Sequence, residues 1–122
     1  RDKVEGRSAI TFVSRDGKAR LVAGAAVNTD AVSIADYRRQ NLAESYADAK
    51  ITYARTSNTW FVVSGNRGDE VFYERVSFTC GGRMINIWAM TYPEAEGALY
   101  DRVVERIARS FRSVNGPEAC KP

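Results

Sequence analysis

Four segments rich in β-branched and aromatic residues, Ile51–Arg55, Thr59–Ser64, Glu70–Cys80 and Arg83–Tyr92, follow one another with only turn-type residues between them. Nothing else in the chain limits its fold as much. Ser57-Asn58 suits a first hairpin turn, Asn66-Arg67-Gly68-Asp69 a second and Gly81-Gly82 a third, so the segments read as an antiparallel meander. With the tightest loops, Arg55 falls opposite Trp60, Trp60 opposite Arg75, and Arg75 opposite Trp88. The next row on that face is Tyr53, Val62, Tyr73 and Met90. The other face reads Ala54, Phe61, Glu74, Ala89, then Thr52, Val63, Phe72, Thr91, with the pairs Val76–Ile87 and Phe78–Ile85 beyond. One face is therefore mainly apolar and the other aromatic and cationic. Strand spacing puts each guanidinium within stacking reach of an indole, a contact worth about 0.5–2 kcal/mol. A loop longer by a single residue would flip a strand's faces.

The remaining elements follow from local signals. Ser8–Ser14 and Lys18–Ala25 alternate around Asp16-Gly17, a hairpin signature that pairs Phe12 with Leu21 and Ile10 with Ala23. Ser33 reads as a helix N-cap with Asp36 three residues on. The helix Ile34–Ala47 carries Ile34, Tyr37, Leu42 and Tyr46 at roughly helical spacing. Pro93, Glu94 and Glu96 suit the first turn of a last helix through Arg112. Its stripe is Leu99, Val103, Ile107 and Phe111, flanked by Tyr100 and Val104, and Asn115-Gly116-Pro117 stops it. The expected fold is α+β in the order ββαββββα, an antiparallel sheet of about six strands with two helices, on opposite faces or together on one.

At 122 residues the chain is one domain, 1–122, large enough for an ordinary core. The net charge of +3 is mild and acids interrupt the bases, so composition gives no case for nucleic acid. No apolar run reaches membrane-spanning length. The chain opens on Arg1, which leads to the expectation of a removed signal segment or an excised domain. Cys80 and Cys120 are the two cysteines. In an exported protein they would form a bridge that ties down the tail 113–122; in a cytosolic one they are two thiols.

With no histidine, Ser-His-Asp and Cys-His nucleophile systems and most catalytic zinc sites are excluded, and neither metal nor cofactor is expected. Gly65-Asn66-Arg67-Gly68 and Gly81-Gly82 read as hairpin turns rather than phosphate cradles. Cys80 beside Arg83 is either a reactive thiol or half a disulfide. Glu74, on the apolar face, could be a desolvated general acid or base in a small hydrolase with Asp69 or Glu70 nearby, or simply the partner of Arg20 or a helix arginine. Arg67-Gly68-Asp69 is a turn that spells an integrin tripeptide by coincidence. Arg102, Arg106, Arg109 and Arg112 form a basic stripe on the last helix, read as a solvated face, with contact to an anionic partner as the alternative. The candidate binding surface is Trp60, Arg75, Trp88 and Tyr73, with Arg55 at the rim. If a helix covers it, it is a structural stack; if open, it is a platform for a glycan, an anionic polymer or a partner protein.

Trp60-Phe61-Val62-Val63-Ser64-Gly65, Phe72-Tyr73, Cys80-Gly81-Gly82-Arg83, Tyr92-Pro93, and the helix with Tyr100-Asp101, Val104-Glu105-Arg106-Ile107 and Ser110-Phe111-Arg112 resemble a group of exported alphaproteobacterial domains. The order of elements also resembles the Mog1/PsbP-like α/β/α sandwich. The resemblance spans roughly residues 30–112 and implies a non-catalytic binding or assembly module of the periplasm or of secreted proteins, with a protein or an anionic polymer or glycan of the cell envelope as partner. It carries no catalytic residue across. The alternatives are the hydrolase around Glu74 and a structural domain of a longer chain.

Overall fold

The computed structural model describes residues 7–114. The order is β1 (Arg7–Val13), β2 (Arg20–Val27), α1 (Ile34–Ser45), β3 (Lys50–Thr56), β4 (Trp60–Arg67), β5 (Glu70–Thr79), β6 (Met84–Pro93), a short 3-10 turn (Glu94–Glu96) and α2 (Gly97–Val114). All six strands form one antiparallel sheet in the order β1-β2-β6-β5-β4-β3, so the expected α+β class holds. The helix stop at Asn115-Gly116-Pro117, Cys120 and the tail lie outside the described residues, as do the side chains of Phe111 and Arg112. Among the described residues no helix is long and apolar enough to cross a membrane.

The helices lie on opposite faces, which resolves the open alternative. Alternation along the strands sorts the core into two clusters. Phe61, Val63, Phe72, Val76, Phe78 and Ile85 form one, and Ile34, Tyr37 and Leu42 of α1, with Tyr46 just past its end, pack on it. Trp88, Met90 and Tyr92 form the other with Ala19, under Val104, Tyr100, Val103 and Ile107 of α2. Leu99, expected in that stripe, is 58% exposed. At 100° per residue it lies to one side of the arc centred on Tyr100, Val103, Val104 and Ile107. Ser33 caps α1 by accepting the Asp36 N–H at 3.1 Å, while the Asp36 carboxylate turns to Arg39 instead of completing a capping box.

The meander register is partly as expected. Arg75 opposes Trp88, Val76 opposes Ile87 and Phe78 opposes Ile85, and in the first hairpin Phe12 meets Leu21 and Ile10 meets Ala23. Two other hairpins slip. Arg55 lies opposite Val62, and Trp60 opposite Ser77, with Val62 facing Arg75. The Ser57 N–H donates to the Trp60 carbonyl at 2.8 Å, so the first loop centres on Asn58-Thr59. Arg67 pairs with Glu70, so the second centres on Gly68-Asp69, with φ of +60° at Gly68. Moving a loop centre by one residue moves every partner by two. Side-chain direction has a period of two, so the faces survive and only the rows change.

Candidate functional site: the guanidinium–indole surface

Arg55, Trp60, Tyr73, Arg75 and Trp88 all project from the face that carries α2, as the alternation requires. They do not form a single row. Arg55 and Arg75 flank Trp60 diagonally, with their guanidinium carbons 5.9 Å and 4.5 Å from the indole centre. Trp60 and Arg75 are half-buried, Arg55 is exposed, and Tyr53 on the same face is half exposed. Strand β3 is exposed along its whole length, so among the described residues no helix covers this end of the face that carries Trp60.

Trp88 is a correction. It is 1% exposed and sits in the cluster beneath α2, with Tyr73 stacked on it at 5.0 Å and 29°. An indole in that position is core and cannot touch a ligand. The reason is local: Trp88 alternates with Met90 and Tyr92, and the three supply the apolar strip that α2 needs. Trp60, by contrast, opens its strand next to a polar turn. The candidate surface therefore divides into a structural half, Trp88 and Tyr73, and an accessible half, Arg55, Trp60 and Arg75.

Glu74 lies on the opposite face, 6% exposed, between Val63 and Ala89 rather than beside Phe61. Its Oε1 accepts hydrogen bonds from the Tyr46 hydroxyl at 2.5 Å and the Asn41 amide at 3.3 Å. Burial, and then the neighbouring Glu74 charge, push the Tyr46 hydroxyl well above its ordinary range, so it stays a donor. Arg67 stacks on the Tyr46 ring at 5.4 Å, bonds Asp48 at 3.0 Å and donates to the Ser45 carbonyl. The partners of Glu74 are thus a tyrosine and an asparagine, not Arg20. Glu70 stands four residues along the same strand, about 13 Å away at strand rise, too far to share a reacting atom with Glu74. This is the arrangement of a polar tie between α1 and the sheet. The sequence carried a sign of it: Asn41 is four residues from Tyr37, a polar group on the inward arc of α1.

Cys80 stands in the β5–β6 turn with φ of +58°, ahead of Gly81 and Gly82, which also have positive φ. Arg83 bonds the Cys80 carbonyl through Nε at 2.9 Å. Arg102, Arg106 and Arg109 are exposed on α2, as a solvated face requires. No protein-family model and no curated protein sequence matches the chain.

Proposed function

We propose that this chain is a non-catalytic binding or assembly module that holds an anionic partner of the cell envelope, an acidic glycan or polymer or an acidic protein surface. Arg55, Trp60 and Arg75 are the binding residues. The observation behind this reading is the stack of two guanidiniums on one half-buried indole beside the exposed strand β3. A guanidinium lying over a ring keeps its N–H fork in plane for carboxylates, and the indole supplies apolar contact. Tryptophan and arginine together are the residue types that dominate binding hot spots. The burial of Glu74 under α1 with two neutral donors supports a binding role over hydrolysis.

The finer assignments belong to the same proposal. The fold is a Mog1/PsbP-like α/β/α sandwich, the protein works in the periplasm or is secreted, and Cys80 is bridged to Cys120. Thiol titration of the denatured, unreduced protein is expected to find no reactive thiol; two would remove the bridge and the main argument for export. For the site, the test is titration with polygalacturonate, an acidic glycan, against neutral dextran. Trp60→Ala and Arg75→Gln are each expected to weaken polygalacturonate binding by about tenfold, the loss of one hot-spot contact. Binding that survives both substitutions in folded protein, or that dextran matches, overturns the reading.

A further inference from the structure

On the opposite face from Trp60, three cations from separate parts of the chain line one recess of about 230 Å³, together with Gly17, Glu70 and Thr91. Lys18 comes from the β1–β2 turn, Arg20 from the start of β2 and Arg67 from the end of β4. The register explains why they meet. Arg20 lies directly opposite Thr91, and Arg67 directly opposite Glu70, whose other neighbour is Pro93. These positions are the end rows of the sheet, and among the described residues no helix lines the recess there.

Two of the three cations stand on fixed supports. Arg67 is held by Asp48, the Ser45 carbonyl and the Tyr46 ring. The turn that carries Lys18 is tied by the Ser14 hydroxyl, which donates to Asp16 at 2.6 Å and accepts the Ala19 N–H at 3.0 Å. The Lys18 N–H also donates to Asp16, at 3.0 Å. Those bonds hold the Asp16 carboxyl below its usual range. Among the described residues neither Arg20 nor Glu70 has an ion-pair partner. The charges face the recess without neutralising one another across it.

We propose that this recess binds a small phosphate-bearing solute. Arg67 is already paired with Asp48, so Lys18 and Arg20 against Glu70 leave a surplus of one positive charge, beside a threonine hydroxyl. A phosphate monoester, with a charge of about −1.5 to −2 near neutral pH and three acceptor oxygens, suits a recess lined by Lys18, Arg20 and Thr91. Arginine and lysine supply the donors such groups take, and here those are Arg20 and Lys18, because Arg67 already donates to Asp48 and the Ser45 carbonyl. Glu70 bounds the site on one side and repels the anion, which gives the assignment a signed test.

The experiment is calorimetric titration of the folded chain with inorganic phosphate at about 0.15 M chloride, where surface charge is screened within about 8 Å. Saturable binding is expected. Arg20→Gln and Lys18→Gln should each weaken it by about tenfold, the loss of one charge-assisted hydrogen bond. Arg102→Gln, which removes the same charge from the exposed side of α2, should leave it unchanged, and Glu70→Gln should tighten it. No saturable binding overturns the assignment, as does equal weakening by Arg102→Gln. Weakening by Glu70→Gln also overturns it, since a zwitterion would then be the ligand. Sedimentation with phosphatidylglycerol vesicles, in the absence of any phosphate binding, would assign the charge to a membrane surface and overturn it too. Failure here leaves the Trp60 surface untouched, because the two sites share no residue and lie on opposite faces.

Discussion

Single side chains decide where polar groups are admitted to the interior. Glu74 is held under α1 by Tyr46 and Asn41, and a buried carboxylate that loses a donor bears the desolvation cost alone. Tyr46→Phe is therefore expected to destabilise the protein by about 1.5–3 kcal/mol, read from urea denaturation. The same hydroxyl sets a pH limit. Burial, and then the carboxylates they donate to, raise Tyr46 and Tyr92 above the ordinary tyrosine value of 10.0. The folded state then keeps protons that the unfolded chain releases. The stabilisation is complete below pH 10 and is lost as pH rises beyond it. A fall in the urea midpoint above about pH 10, shallower in Tyr46→Phe and in Tyr92→Phe, is the expected result. An unchanged slope in both variants would detach the tyrosines from the effect.

Strands and helices were legible in the chain to the extent that their signals are local. The Asp16-Gly17 and Gly81-Gly82 turns, the Ser33 cap and the alternation along β5 and β6 each act within a few positions, and the structure has all of them. Register is not local. Whether Ser57-Asn58 or Asn58-Thr59 forms the loop depends on packing of the whole hairpin, and that choice moved Arg55 from Trp60 to Val62. The register shift between Ile51 and Tyr53 was missed for a similar reason, since its mark lies on the partner strand. Gly65 faces Ile51 there, and a Cβ at Gly65 would come within 1.9 Å of the Lys50 carbonyl oxygen. Backbone cannot swing aside as a side-chain tip can. Gly65→Ala is expected to cost at least about 1–3 kcal/mol and to loosen β3 first. Thermal unfolding measures the cost, and hydrogen exchange confined to β3 and β4 measures the place. An unaltered melting temperature would show that β3 re-pairs without the irregularity.

At the scale of the whole molecule, the placement of α2 decides what the cationic-aromatic face can do, and pairing rules for strands carry no information about it. The accessible half of the candidate site was legible as residue types on a shared face; the burial of Trp88 was not, because it depends on a helix arriving from the far end of the chain. The two tryptophans consequently report on different things. Trp88→Ala removes a fully buried indole and is expected to cost about 3–5 kcal/mol, whereas Trp60→Ala should cost far less because its ring is only half covered. Fluorescence separates them without unfolding the protein. Iodide should quench wild-type emission through Trp60, and more strongly than caesium does, because Arg55 and Arg75 attract the anion and repel the cation. In Trp60→Phe the remaining Trp88 should resist both quenchers, since α2 excludes solvent from its ring. Equal quenching by the two ions would show that the guanidiniums are not held over the indole. Strong quenching of Trp60→Phe would show that α2 leaves the face, which would return Trp88 to the accessible surface.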